Sequence, residues 1–209
     1  MNKYVVHCKK DKYDVLIDRT TKWGNPFKKE NAREENILEF KKWVVSQHEL
    51  MNDLHSLKEK VLACWCAPQA CHGDVLSQLV NGDENTVRLL VAGSRSFNNY
   101  KEMEAFLDIS IKEKYSGKEI IGISGTAKGA DILAIQYFKS RNIICMELPA
   151  IWNNKDGTTN KAAGYERNTR MVNLADAAIF FWDGKSNGTY DTINKCRKKG
   201  IDRMGMYVF

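Results

Sequence analysis

The sequence has only three prolines and no apolar run of the length a bilayer-spanning helix needs. The first scarcity leaves little room for a Pro-rich linker or a disordered tail. The second excludes a membrane helix as the organising feature, so no membrane partner is expected. The opening MNKYVVHCKK has neither the apolar stretch nor the cleavage site of a secretory signal, and the expected location is the cytoplasm. Paired Cys-x-x-Cys knuckles, which most structural zinc sites use, are also missing. Charge imbalance is modest. A formal net charge of +6 suits anionic ligands but is not an extended basic stripe that would by itself demand DNA or RNA, so nucleic acid is a possibility that the modest charge argues against.

What is present is a chain of 209 residues, 43% hydrophobic and 28% charged, the balance of a folded protein with room for two small domains. The polar, turn-forming stretch Asn81–Asn85 (NGDEN) divides it, giving expected domains at 1–82 and 86–209. Of the six cysteines, Cys8, Cys145 and Cys196 lie in or beside apolar or helical runs, as small buried thiols do.

In the first part, Lys3–Lys9 and Tyr13–Asp18 alternate apolar and polar residues and read as a hairpin or two adjacent strands. Arg19–Phe27 (RTTKWGNPF) reads as a rigid turn, with Asn25 pushed out of the helical region by Pro26. Apolar residues at Ile37, Leu38, Phe40, Trp43, Val44 and Leu50 predict one amphipathic helix over Asn31–Met51. A short strand, Lys60–Cys66, and a helix, Asp74–Val80, complete a small α/β unit. Between them lies CWCAPQACHGD, in which Cys64, Cys66, Cys71 and His72 are soft metal ligands, with His7 and Cys8 within reach through strand pairing. A zinc site, a polar ligand pocket and plain packing all fit this pattern. So does a Cys66 or Cys71 nucleophile with His72 as base. No cofactor is implied.

The second part alternates strand and helix. Val87–Ala92, Ile120–Ser124, Ile143–Leu148 and Ala177–Trp182 are the continuous apolar runs of parallel strands covered on both faces. Helices are expected at Tyr100–Lys114, from GTAKGAD to Arg141, around Arg167, and from near Thr189. The fold class is therefore α/β: a small N-terminal α/β domain, then a Rossmann-like, doubly wound parallel sheet. Right-handed crossovers bring every strand's carboxyl end to one edge. Gly93, Ser94, Arg95, Ser124, Gly125, Gly184, Ser186, Gly188 and Thr189 all follow strand ends, and Asn168 and Asp183 flank the last of them. The first amides of a helix lack internal partners and carry partial positive charge, so a Gly-containing turn into a helix is suited to phosphate. An ordinary strand-to-helix connection gives the same pattern. Arg167 could reach the same crevice, or be a solvated arginine paired with Glu166 or Asp183. Lys128 could meet phosphate or be solvated, and Trp152 could stack on a base or simply pack. The polar loop Ile151–Ala163 is long enough for a lid.

Five segments carry a family resemblance: VAGSRSF (Val91–Phe97), GTAKGAD (Gly125–Asp131), PAIW (Pro149–Trp152), AGYERN (Ala163–Asn168) and FWDGKSNGT (Phe181–Thr189). In this order they resemble the YspA-like or cpYpsA-related group of the SLOG nucleotide-binding superfamily, relatives of the LOG phosphoribohydrolases. The resemblance implies binding of a nucleotide or nucleotide-derived small molecule and hydrolysis of its N-glycosidic bond, with Arg167 at the phosphate or sugar. It also implies homodimers or higher oligomers. The hydrolases carry a glutamate three residues after the Thr of their Gly-Thr pair, where this chain has Thr192. A hydroxyl cannot carry that charge, so Asp191 or Asp131 would have to take the part. The alternative is a non-catalytic sensor or sequestering module for an NAD-derived or cyclic nucleotide. KWGNPF and the CWC-x-P-x-x-CH pattern together resemble a small uncharacterised domain family of bacteria and phages, with Thr21 as a departure before Lys22.

Overall fold

The computed structural model describes residues 4–154, 156–201 and 204–209. The chain forms two compact units, Met1–Asp83 and Glu84–Phe209.

The first unit is built on three short parallel strands, β1 (Val5–His7), β2 (Val15–Leu16) and β3 (Leu62–Cys64), in the order β1-β3-β2. The expected hairpin or adjacent pair does not form. β3 lies between the two, with Leu62 opposite both Val5 and Val15, because the most apolar strand takes the central, fully buried position. The single helix expected over Asn31–Met51 is two, α1 (Arg33–Val44) and α2 (His48–Asp53). The Ser46 amide and hydroxyl, with the Gln47 side-chain amide, all donate to the Trp43 carbonyl, which ends α1. The apolar face resumes beyond the break, and Phe40, Val44, Leu50 and Met51 are all buried. A 3-10 turn (Leu54–Leu57) leads to β3, and α3 (His72–Asn81) follows it. The rigid turn is held by Arg19, whose Nε donates to the Asn25 carbonyl at 3.0 Å and whose Nη2 donates to the Phe27 carbonyl at 2.9 Å. Gly24 is required there, since a Cβ would lie 2.5 Å from Arg19 Cα and Asp18 O.

The second unit is a five-stranded, all-parallel sheet in the order β6-β5-β4-β7-β8: β4 (Thr86–Gly93), β5 (Glu119–Ser124), β6 (Cys145–Glu147), β7 (Ala177–Trp182) and β8 (Met204–Val208). Helices α4 (Tyr100–Lys114), α5 (Ala130–Ser140), α6 (Ala163–Leu174) and α7 (Asn187–Lys199) make the connections. Val87, Leu89 and Val91 share a core with Met103 and Leu107 of α4 and Ala134 and Phe138 of α5. The alternate residues, such as Leu90 and Phe180, are equally buried and by strand alternation face the other side, that of α6 and α7. Helices therefore cover both faces, the Rossmann-like α/β arrangement the sequence implied. Strand order reverses direction at β4, so the carboxyl ends of β4 and β7 diverge into a crevice, where such sheets hold ligands. β8 was not expected. No helix among the described residues is long and apolar enough to cross a membrane.

Candidate functional site

Gly93 closes β4 in contact with β7: a Cβ there would sit 2.2 Å from the Phe181 carbonyl and 2.7 Å from Ala130 Cβ. The chain then turns, with the Ser94 amide donating to Phe181 O at 2.8 Å and the Asp183 amide donating to Ser94 Oγ at 3.1 Å. These bonds fix the two loops on either side of the switch point. Between them and the neighbouring loops opens a cleft of about 470 Å³. Of the residues singled out from sequence, Gly93, Arg95, Asp131, Arg167, Asn168, Asp183, Ser186, Gly188 and Thr189 line it.

Asp131 is buried at the start of α5. The loop before it curls through Thr126 (φ 61°) and Gly129 (φ 80°). That curl aims the Ala127 amide at the carboxylate, 3.2 Å away. Arg167 is largely buried too: Nη1 donates to the Gly125 carbonyl and, at 3.3 Å, to Asp131, while Nε donates to Asn168 Oδ1 at 3.0 Å. The solvated-arginine alternative is thereby removed. Loss of water pushes the Asp131 carboxyl up to about 6 despite Arg167, and burial lowers the Arg167 guanidinium. Arg95 lines the same cleft, exposed, with no hydrogen bond or ion pair to its guanidinium among the described residues.

The turn at Asp183 differs from the expectation in detail. Its carboxylate accepts from the Lys185 amide at 3.0 Å, the Ser186 amide at 2.8 Å and Ser96 Oγ at 3.2 Å, which hold it down to about 2. Those two amides, expected to meet phosphate, are thus already engaged. Ser186 caps α7 through Thr189 N. In this turn the amides without an acceptor among the described residues are those of Gly184 and of Asn187 and Gly188, the first two residues of α7. Gly184 takes the left-handed φ of 72° that the turn needs and stands outside the cleft lining.

Other candidates sit behind or away from the cleft. Ser94 and Ser124 are buried, their hydroxyls bonded to Asp183 N and to the Asp131 carbonyl. Gly125 lies under the Arg167 guanidinium, where a Cβ would be 1.9 Å from Nη1. Lys128 is exposed and does not line the cleft; Trp152 is 50% exposed, also outside it. Asp191 is turned away, accepting from Asn168 Nδ2 at 3.0 Å and Lys195 Nζ at 2.7 Å. Its neighbour Thr192 lines the cleft instead, as does Ser96, which sequence reasoning passed over although it lies in the quoted VAGSRSF segment.

The first unit has its own cleft, about 800 Å³, lined by Asp18, Arg19, Asn36, Trp65, Cys66 and the cluster Cys64, Cys71 and His72, among others. Cys71 is the N-cap of α3: its Sγ accepts from Gly73 N at 3.3 Å, and its amide donates to Asp74 Oδ2 at 2.8 Å. His72, the first helical residue, has Nε2 2.7 Å from the Ile17 carbonyl and Nδ1 3.9 Å from Cys64 Sγ. Its ring is therefore held by Ile17 and Cys64 and not by Cys66, the outer of the two proposed nucleophiles. His7 pairs in register with Cys64, yet neither it nor Cys8 joins the cluster.

The fold defines an α/β protein, and each unit carries a cleft. Residues 5–82 match the family described as a domain of unknown function, DUF4326. An uncharacterised 12.4 kDa protein from the nrdA-td intergenic region of Enterobacteria phage T4 is 37% identical over 82 residues, covering 37% of this chain and 76% of that protein. The chain belongs to the DUF4326 family. A solved structure of DNA processing protein A from Helicobacter pylori, described for its single-stranded DNA binding, is similar over 58% of this chain at a TM-score of 0.40 and 19% identity. The likeness spans 64% of that chain and is too slight to carry an argument.

Proposed function

We propose that the second unit binds a nucleotide or a nucleotide-derived small molecule at the switch-point cleft. The observation that carries this reading is Arg95, an exposed cation lining the cleft with no hydrogen bond or ion pair to its guanidinium among the described residues, near the largely buried Arg167 and Asp131. Phosphate would lie between Arg95 and the Asn187 and Gly188 amides of α7, where the helix dipole adds to the attraction. Thr189, Thr192 and Asn168 would face the sugar. The resemblance of the five motifs to the SLOG superfamily supports this assignment, since the residues quoted for it supply most of the cleft lining.

Hydrolysis of the N-glycosidic bond would fall to Asp131. Titrating at about 6, it is ionised at neutral pH and could polarise water or stabilise positive charge at the anomeric carbon. A second reading, sequestration or sensing without turnover, is favoured by Thr192 at the position of the hydrolases' glutamate and by the engagement of Asp191 with Asn168 and Lys195. Chromatography after incubating the full chain with nucleoside monophosphates, cyclic nucleotides and NAD separates the two. Release of free base supports the enzyme; retention and intact recovery support the binder; no retention and no turnover with any of them refutes both.

A further inference from the structure

We propose that Cys64, Cys71 and His72 bind a zinc ion whose fourth coordination position opens into the cleft of the first unit. The two sulfurs and one ring nitrogen lie within 4.8 Å of one another, and all three residues are buried. In a tetrahedral zinc site with Zn–S bonds of about 2.3 Å and Zn–N bonds of about 2.0 Å, ligand atoms stand roughly 3.5–3.8 Å apart. Small side-chain rotations close the difference, and the 3.9 Å from Cys64 Sγ to His72 Nδ1 nearly meets it already.

The orientation of His72 separates a metal centre from ordinary packing. A backbone carbonyl only accepts, so the 2.7 Å contact with Ile17 O places the imidazole proton on Nε2. Nδ1 is left with its lone pair directed at the sulfur cluster. A ligating histidine is commonly fixed in this way, its far N–H held by a carbonyl. The three residues come from rigid positions: the end of the central strand β3, the N-cap of α3 and its first turn. Zinc exchanges for both thiol protons, which pass to solvent. Two thiolates and the dication then balance, so no net charge is buried. Cys66 also lines the cleft, its thiol near that of Cys64 but outside the cluster, so the proposed ligands are three and the fourth position is open, the pattern of zinc sites that carry a water or substrate.

The test uses the untagged full chain. Metal analysis should find zinc at one per chain. After stripping, titration with cobalt(II) should give thiolate-to-cobalt charge transfer in the near ultraviolet and the intense visible bands of four-coordination. Cys64→Ser and Cys71→Ser should each weaken cobalt uptake by at least about tenfold. Cys66→Ser and Cys145→Ser should leave the spectrum unchanged. A folded chain that is free of zinc and silent with cobalt overturns the proposal, as does a Cys64–Cys71 disulfide in the isolated protein. Loss of the cobalt spectrum in Cys66→Ser overturns the open coordination position. Should the Cys64 or Cys71 variants fail to fold, the unmutated protein and Cys66→Ser still decide the matter.

Discussion

Asp131 makes the stability of the second unit depend on pH in a direction opposite to most carboxylates. The group titrates from 3.8 in an unfolded chain to about 6 here, chiefly because burial strips water from the ionised form. The native state therefore keeps this proton after the unfolded state has lost it. Stability contributed by Asp131 is full below about pH 4 and is lost as pH rises through 6, a change of about 3 kcal/mol at roughly 1.4 kcal/mol per pH unit. Asp131→Asn does not titrate, so the difference between the two proteins isolates the effect from every other group and from any constant cost of the substitution. Urea unfolding at pH 4 and pH 7, followed through the backbone amide NMR signals of β4 and β5, would read the second unit alone. Unmutated protein should lose about 2 kcal/mol relative to Asp131→Asn between the two pH values, because part of the change is already made by pH 4. A flat difference would mean the carboxylate is not desolvated. A gain with pH would mean that attraction to Arg167 outweighs burial, and the reasoning would be wrong.

Two further substitutions test the supports of the cleft. Gly125→Ala must displace the Arg167 guanidinium from its seat, since the new Cβ would fall 1.9 Å from Nη1; a loss of about 1–3 kcal/mol in urea unfolding is expected, with weaker nucleotide binding. Asp176→Ala removes the carboxylate that holds the buried Arg88, through bonds of 2.8 Å from Nε and 2.6 Å from Nη2, across the start of β4 and the entry to β7. The same unfolding measurement should show a loss of about 1–3 kcal/mol.

Elements set by local patterning were legible in the sequence. Tyr100–Lys114 has the bounds expected of it, begun by Asn99, whose side chain accepts from Glu102 N, and Ala177–Trp182 is as continuous in the sheet as in the sequence. Pairing between distant segments was not. Nothing local says that β3 inserts between β1 and β2, or that half-exposed Met204–Val208 becomes the edge strand beside β7. The phase of a helix was likewise beyond reach: adjacent residues project about 100° apart, so whether Asp191 or Thr192 meets the cleft turns on the packing of α7 against α6. Asn168 and Lys195 settle it by holding Asp191 away. For Arg167 the sequence indicated the crevice but not the burial, because its seat is the carbonyl of a glycine in a different loop.

Isothermal titration of a nucleoside monophosphate and of NAD into the full chain and into Arg95→Ala tests the central claim most directly. The Arg95 guanidinium makes no hydrogen bond or ion pair among the described residues, so its removal chiefly subtracts a charge-assisted contact with the ligand, worth about 1.5–3 kcal/mol, or roughly 10–150-fold in affinity. Saturable binding to the unmutated chain and that fall in the variant are expected. Equal affinities, or no heat with either ligand, would contradict it.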